Sequence, residues 1–152
     1  MKGARRMRLC VTFSSREPAV LPLSYQSLLQ GLIYTVMQDR AFASFMHETG
    51  FQAQNRTFRL FTFSQLFGEA VVDPRQKTIR FPHSFQWKIS SAVPEFLQEF
   101  GRSLLAADEI RLHGQRLQVE NLSCEHLQAD RSRCRVRTLS PITVHSTFQT
   151  AD

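Results

Sequence analysis

Apolar and polar positions alternate from Met7 to Phe13 (MRLCVTF), the two-residue period of a half-buried strand. The next stretch, SSREPAVLP, is polar and Pro-containing, which marks a connector. From Ser24 the period becomes helical. Tyr25, Leu28, Leu29, Leu32, Ile33 and Val36 form one apolar stripe, while Ser27, Gln30 and Tyr34 fall on the opposite side. Ser24 is placed to cap this helix, which is expected to run to about Gln38. A second helical run, AFASFMHET, stops at Gly50, a candidate left-handed cap.

The aromatic-rich FRLFTFSQLFG (58–68) reads as strand. TIRF (78–81) and FQWKISS (85–91) flank Pro82, His83 and Ser84, which predicts a hairpin. In its second arm Phe85, Trp87 and Ile89 point one way, and Gln86, Lys88 and Ser90 the other. Ser91 and Pro94 open a further helix with Val93, Phe96, Leu97, Phe100 and Leu104 at helical spacing. Strand-like pieces follow at IRL (110–112), RLQVENL (116–122) and RCRVRTL (133–139). The order predicts an α+β, ferredoxin-like β-α-β-β-α-β domain over residues 1–140, an antiparallel sheet with helices on one face. Residues 141–152 then read as the start of a linker.

Composition changes this picture mainly through charge. The 152 residues carry 19 basic against 13 acidic side chains, a formal +6, and sixteen of the basic ones are Arg. Guanidinium suits bidentate phosphate contact and stacking, so an anionic partner, nucleic acid first, is expected. Three cysteines (Cys10, Cys124, Cys134) without a CxxC spacing predict neither a disulfide framework nor a zinc site. The basic start lacks the apolar core and cleavage site of a secretory signal, and no apolar run is long enough for a membrane span. A cytoplasmic protein with no membrane partner is expected.

The five histidines and the carboxylates show no HExxH, HxH or Cys/His metal spacing, and there is no GxxxxGK[ST], GxGxxG or GxSxG. No metal and no cofactor is therefore predicted. RNA supplies its own nucleophile, the 2′-OH, and its cleavage needs only a base, an acid and a cation for the crowded phosphorane. Among the residues of the right kind, Tyr34 lies off its helix's stripe. His47 sits in a last helical turn, where the negative helix end favours imidazolium. Each reads equally as a structural residue, Tyr34 as a solvated edge tyrosine and His47 as a carbonyl-satisfying one. Arg56 and Arg59 follow, with Arg59, Phe61 and Phe63 on one strand face, an arrangement that holds a base and a phosphate or is simply core aromatics beside an Arg. Arg133, Arg135 and Arg137 alternate along a predicted strand and span about 13 Å. That ladder could track a phosphate backbone or blunt an edge strand.

Five strings, LPLSYQSLLQGLIYTVM (21–37), FASFMHETGF (42–51), FRLFTFSQLFG (58–68), FQWKISS (85–91) and TLSPITV (138–144), occur in an order that resembles the CRISPR-associated, repeat-processing endoribonucleases of the RAMP superfamily. The resemblance implies two ferredoxin-like domains in tandem and metal-independent cutting of CRISPR repeat RNA by 2′-OH attack. The products would end in a 2′,3′-cyclic phosphate or 3′-phosphate. It implies Tyr34, His47 and Arg59 as the catalytic set, with Arg59 standing where one subgroup of the family has Lys. Arg keeps the charge but does not readily give up a proton. It further implies that this chain is an N-terminal half whose second domain, with its glycine-rich loop, is absent, so weak repeat binding and slow or no cleavage are expected of it alone. Subunits of a CRISPR effector complex and a homodimer are the remaining partner classes. The alternatives are a non-catalytic RNA-binding or assembly subunit of the same superfamily, and an unrelated ferredoxin-like module that dimerises or senses a ligand.

Overall fold

The computed structural model describes residues 6–53, 56–58, 60–127, 135, 137 and 138. Its centre is a five-stranded antiparallel sheet built from β1 (Arg6–Ser14), β5 (Phe61–Phe63), β8 (Phe85–Ser91), β9 (Ile110–Leu112) and β10 (Gln115–Leu127), in the spatial order β5-β8-β1-β10-β9. β5 is antiparallel to β8 and β8 to β1, so β5 and β1 run parallel, connected through the helix α1 (Gln26–Val36). By the same reasoning β8 and β10 run parallel, connected through α3 (Pro94–Ala106). Two interleaved split β-α-β units with this strand order form a ferredoxin-like fold, as the element order predicts. The two helices touch each other and α3 packs on β1, β8 and β10, which puts both on one face of the sheet.

The period-two reading of the strands accounts for that packing. Leu9, Val11 and Phe13 of β1 and Phe85, Trp87 and Ile89 of β8 are buried, and the registers Val11↔Trp87 and Phe13↔Phe85 set them side by side. α3 presses Phe96, Leu97, Phe100 and Leu104 onto them, with Trp87 and Phe100 edge to face at 6.0 Å. Aromatic burial on this scale dominates the stability of the domain. The opposite sheet face is polar, and there Arg8 and Lys88 share the Glu125 carboxylate at 3.6 and 3.7 Å.

Several local expectations are corrected. TIRF and FQWKISS do not form a hairpin: β7 (Thr78–Phe81) pairs with β2 (Ala19–Pro22) and β6 (Val71–Asp73) in a separate three-stranded sheet. Phe81 and Phe85 are both buried with ring centroids 4.7 Å apart, so the three residues between them turn a corner around the core. β2 itself falls in the stretch read as a connector, because Ala19 and Leu21 alternate inward against that core. Ser24 does not cap α1, whose first turn follows Tyr25 without a side-chain cap, and the helix ends at Val36. The stretch 58–68 is broken rather than continuous. Leu60 takes φ 52°, and its carbonyl accepts from Ser91 Oγ at 2.7 Å and from the Ala92 N–H at 3.2 Å. Arg135, Arg137 and Thr138 lie outside any regular element, and the rest of the predicted strand 133–139 lies outside the described residues. No helix among the described residues is long and apolar enough to cross a membrane.

Candidate active site

Tyr34 occupies the last turn of α1, where the helical wheel sets it away from the apolar stripe. The structure gives it a different environment. It is half-buried and packs against the core, because α1 has a second apolar neighbour: Phe61 of β5 meets the Tyr34 ring at 6.1 Å and 72°. Phe61 in turn stacks on Phe96 of α3 at 5.0 Å and 7°, so an aromatic row runs from the helix-sheet core to Tyr34. The Tyr34 hydroxyl is buried and has no hydrogen-bond partner among the described residues.

His47 comes from the other side of the same spot. The chain leaves α1, forms the short helix α2 (Arg40–Ser44), and widens into a π-helical turn over Phe45–Thr49. Such turns are uncommon and often found at functional sites. Asp39 starts α2 by accepting the Phe42 N–H at 2.9 Å, a cap available in the charged break of the sequence. Gly50 stops the π turn at φ 59° and ψ −170°, donating its N–H to the Phe45 carbonyl at 2.6 Å. A positive φ is as expected for this glycine, although the extended ψ is not that of a left-handed cap. The chain then enters β3 (Phe51–Ala53), which pairs with β4 (Arg56–Phe58). This path lays His47 across Tyr34 with ring centroids 4.9 Å apart at 87°, a T-shaped contact, and leaves the imidazole exposed. An exposed imidazole braced by a perpendicular ring can exchange a proton with a bound ligand while its tilt stays restricted.

Tyr34 and His47 are therefore brought together. Arg59 and Arg133 lie outside the described residues, as does the side chain of Arg56, whose backbone is in β4. Arg135 and Arg137 are exposed. Sequence reading missed a cation that bonds to the Tyr34 backbone. Arg40 is exposed, donates from Nη1 to the Tyr34 carbonyl at 3.3 Å, and makes no ion pair among the described residues. The signal for it was its position in the charged break between the two helical runs.

The junction between α1 and α2 is also held from α3. The Ser103 hydroxyl accepts the Gln38 N–H at 3.0 Å and donates to Glu99 Oε1 at 3.1 Å. That same oxygen accepts the Asp39 N–H at 3.1 Å. Glu99 Oε2 takes two donors of Arg102, at 3.1 and 2.6 Å. The Arg102 guanidinium, with help from the Asp39 N–H and Ser103 and against the effect of burial, holds the Glu99 carboxyl below the usual glutamate range. Among the described residues no three His, Cys, Asp or Glu side chains gather closely enough to hold a metal ion.

Residues 20–123 match the family model described as "CRISPR-associated protein Cas6, N-terminal". The fold is similar to a solved structure titled "CRISPR associated protein Cas6", with TM-score 0.61 and 23% identity over 82% of this chain and 51% of that one. It is similar to a Cas6-related protein from Pyrococcus furiosus, with TM-score 0.65 and 15% identity over 82% of this chain and 49% of the other. A structure titled "An RAMP protein binding different RNA substrates" gives TM-score 0.65 and 15% identity over 81% and 50%. The chain thus spans about half the length of these solved structures. No curated protein sequence matches it.

Proposed function

The chain belongs to the family of CRISPR-associated protein Cas6, through that family's N-terminal domain, and from this premise we propose that it is the N-terminal part of a metal-independent endoribonuclease cutting CRISPR repeat transcripts. The observation that carries the reading is the perpendicular contact of Tyr34 and His47, 4.9 Å between ring centres, at an exposed imidazole. In the reaction the 2′-oxygen attacks the adjacent phosphorus and loses its proton to a base. The bond to the 5′-oxygen breaks as that oxygen takes a proton from an acid, leaving a 2′,3′-cyclic phosphate and a 5′-hydroxyl.

His47 serves as the acid or the base, since imidazole both gives and takes a proton near neutral pH. Tyr34 orients it. Its own hydroxyl is shut away from solvent, which supports the orienting role over a direct proton transfer. A guanidinium stabilises the phosphorane, with Arg59 in that role by family resemblance and Arg40 as a nearby second cation. Arg56, Arg133, Arg135 and Arg137 are proposed to grip the RNA backbone. A second domain following this one is proposed to complete the grip, in keeping with the length of the similar structures.

The test is single-turnover cleavage of end-labelled repeat RNA in EDTA by the intact protein. His47→Ala is expected to slow cleavage by about 10²-fold or more, the usual range for a general acid or base. A variant that cuts as fast as wild type refutes the assignment. The buried Tyr34 hydroxyl also keeps a second reading in view, a non-catalytic RNA-binding or assembly subunit. Tight repeat binding without any cleavage product, in the intact protein, is the outcome that selects it.

A further inference from the structure

Ser103 stands in the apolar stripe of α3, flanked by Phe100 and Leu104, and is 1% exposed. A hydroxyl there gives up packing and must be satisfied internally. In a helix interior serine commonly bonds back to the carbonyl one turn earlier. Here it donates instead to the side chain of Glu99, one turn before it, and accepts the Gln38 N–H. Glu99 accepts the next amide, that of Asp39. Two successive N–H groups, 65 and 60 residues away in sequence from their acceptors, are thus held by one carboxylate-hydroxyl unit. These two residues are the junction between the helix that carries Tyr34 and the segment that carries His47. Asp39 passes the constraint on by capping α2, and Arg40 passes it back to the Tyr34 carbonyl.

We propose that Glu99 and Ser103 are positioning residues for the Tyr34–His47 pair: from α3 they fix the α1–α2 junction and thereby set where the His47 imidazole stands across Tyr34. Neither is placed in contact with RNA. The catalytic significance of the clamp rests on the reading of the pair given above, whereas its geometric effect does not.

The experiment has two arms. In the first, the labelled chain is studied by NMR as wild type and as Ser103→Ala, Glu99→Ala and Glu99→Gln. The wild type is expected to show cross-relaxation between the Tyr34 and His47 rings, ring-current-shifted His47 protons, and slow exchange of the Gln38 and Asp39 amides. Ser103→Ala and Glu99→Ala are expected to lose the ring contact and speed exchange at those amides. Glu99→Gln, whose amide oxygen still accepts from Asp39 and Ser103, is expected to restore both. Unchanged ring signals in Ser103→Ala and Glu99→Ala, with the two amides freed, overturn the proposal. So does loss in Glu99→Gln equal to that in Glu99→Ala, and this pair decides the matter if Ser103→Ala does not fold.

In the second arm the intact protein is assayed on repeat RNA well below its melting temperature. The two alanine variants are expected to cut about 10²-fold more slowly, the effect of roughly an ångström of misplacement, with RNA affinity unchanged and Glu99→Gln near wild type. Wild type that does not cut defeats the functional reading and leaves the NMR arm standing. Wild type that cuts, with alanine variants equally fast, defeats the clamp.

Discussion

Replacing Tyr34 by Phe removes a single oxygen, one that is buried without a hydrogen-bond partner among the described residues. Leaving a buried polar group unpaired costs roughly 1–3 kcal/mol, so its removal should return a part of that, about 1 kcal/mol. The ring contacts with Phe61 at 6.1 Å and with His47 at 4.9 Å are those of the carbon skeleton and survive the change. Tyr34→Ala deletes the ring as well, and because the residue is only half-buried its cost should lie at the lower end of aromatic truncations, about 3 kcal/mol. Urea unfolding reads both. With a slope of about 1.5 kcal/mol/M, the midpoint should rise by about 0.7 M for Phe and fall by about 2 M for Ala. In single-turnover cleavage the orienting role predicts that Tyr34→Phe stays within a few-fold of wild type, whereas Tyr34→Ala loses the imidazole's brace and slows strongly. A hydroxyl taking part in proton transfer would instead lose about 10²–10⁴-fold on becoming Phe. A Phe variant that is less stable than wild type, or that loses two decades in rate, refutes the reasoning.

Two glycines give opposite expectations. An added Cβ at Gly50, whose φ is +59°, would lie 2.9 Å from both the Phe58 carbonyl oxygen and Thr57 Cγ2, so Gly50→Ala should destabilise by about 2–4 kcal/mol. Gly31, mid-helix with nothing within 4 Å, should gain about 1 kcal/mol as Ala; thermal unfolding of the two variants checks the sign of each. Glu99 has its folded pKa depressed, so its contribution is present above the unfolded glutamate value near pH ~4.3 and is lost as pH falls through the lower folded value. Glu99→Gln should flatten that acid limb in a stability-versus-pH series, and an unchanged limb would show the carboxylate to be uncoupled. Arg135 and Arg137 are exposed, and reversing both to Glu should lower the slope of log affinity against log salt for single-stranded repeat RNA by about 0.7 for each phosphate that the variant no longer neutralises. Filter binding across a salt series measures it, and an unaltered slope removes these two from the RNA surface.

The fold was legible wherever one face of an element meets one partner. The alternation of β1, the Phe85-Trp87-Ile89 face and the Phe96-Leu97-Phe100-Leu104 stripe each marked an element and its buried side, and their order specified the ferredoxin-like plan. It was not legible where long-range contacts overrule a local signal. Pro82-His83-Ser84 has turn chemistry, but burial of Phe81 and Phe85 around one core sends the flanking strands into different sheets. The alternating 58–68 run is interrupted at Leu60, whose left-handed backbone is held by Ser91 and Ala92, 31 and 32 residues on. Tyr34 was misplaced for the same reason. A helical wheel shows one buried side, while α1 is covered on a second side by Phe61.

The candidate site follows that division. Residue types and neighbouring strings pointed to Tyr34 and His47, but their contact depends on three further constraints, two of them remote in sequence. The row from Phe96 through Phe61 fixes the Tyr34 ring. The Glu99–Ser103 unit fixes the junction at Gln38 and Asp39. Gly50 turns the chain at a φ that other residues resist and closes the π turn onto Phe45. The proton transfers proposed at the 2′- and 5′-oxygens tolerate little error in position, and an exposed side chain on a short helix would not be held that well by its own element. The three constraints act on the elements around His47 and leave its imidazole open to solvent. A site of that kind is held at its base and accessible at its tip, as the RNA cleavage proposed for it would require.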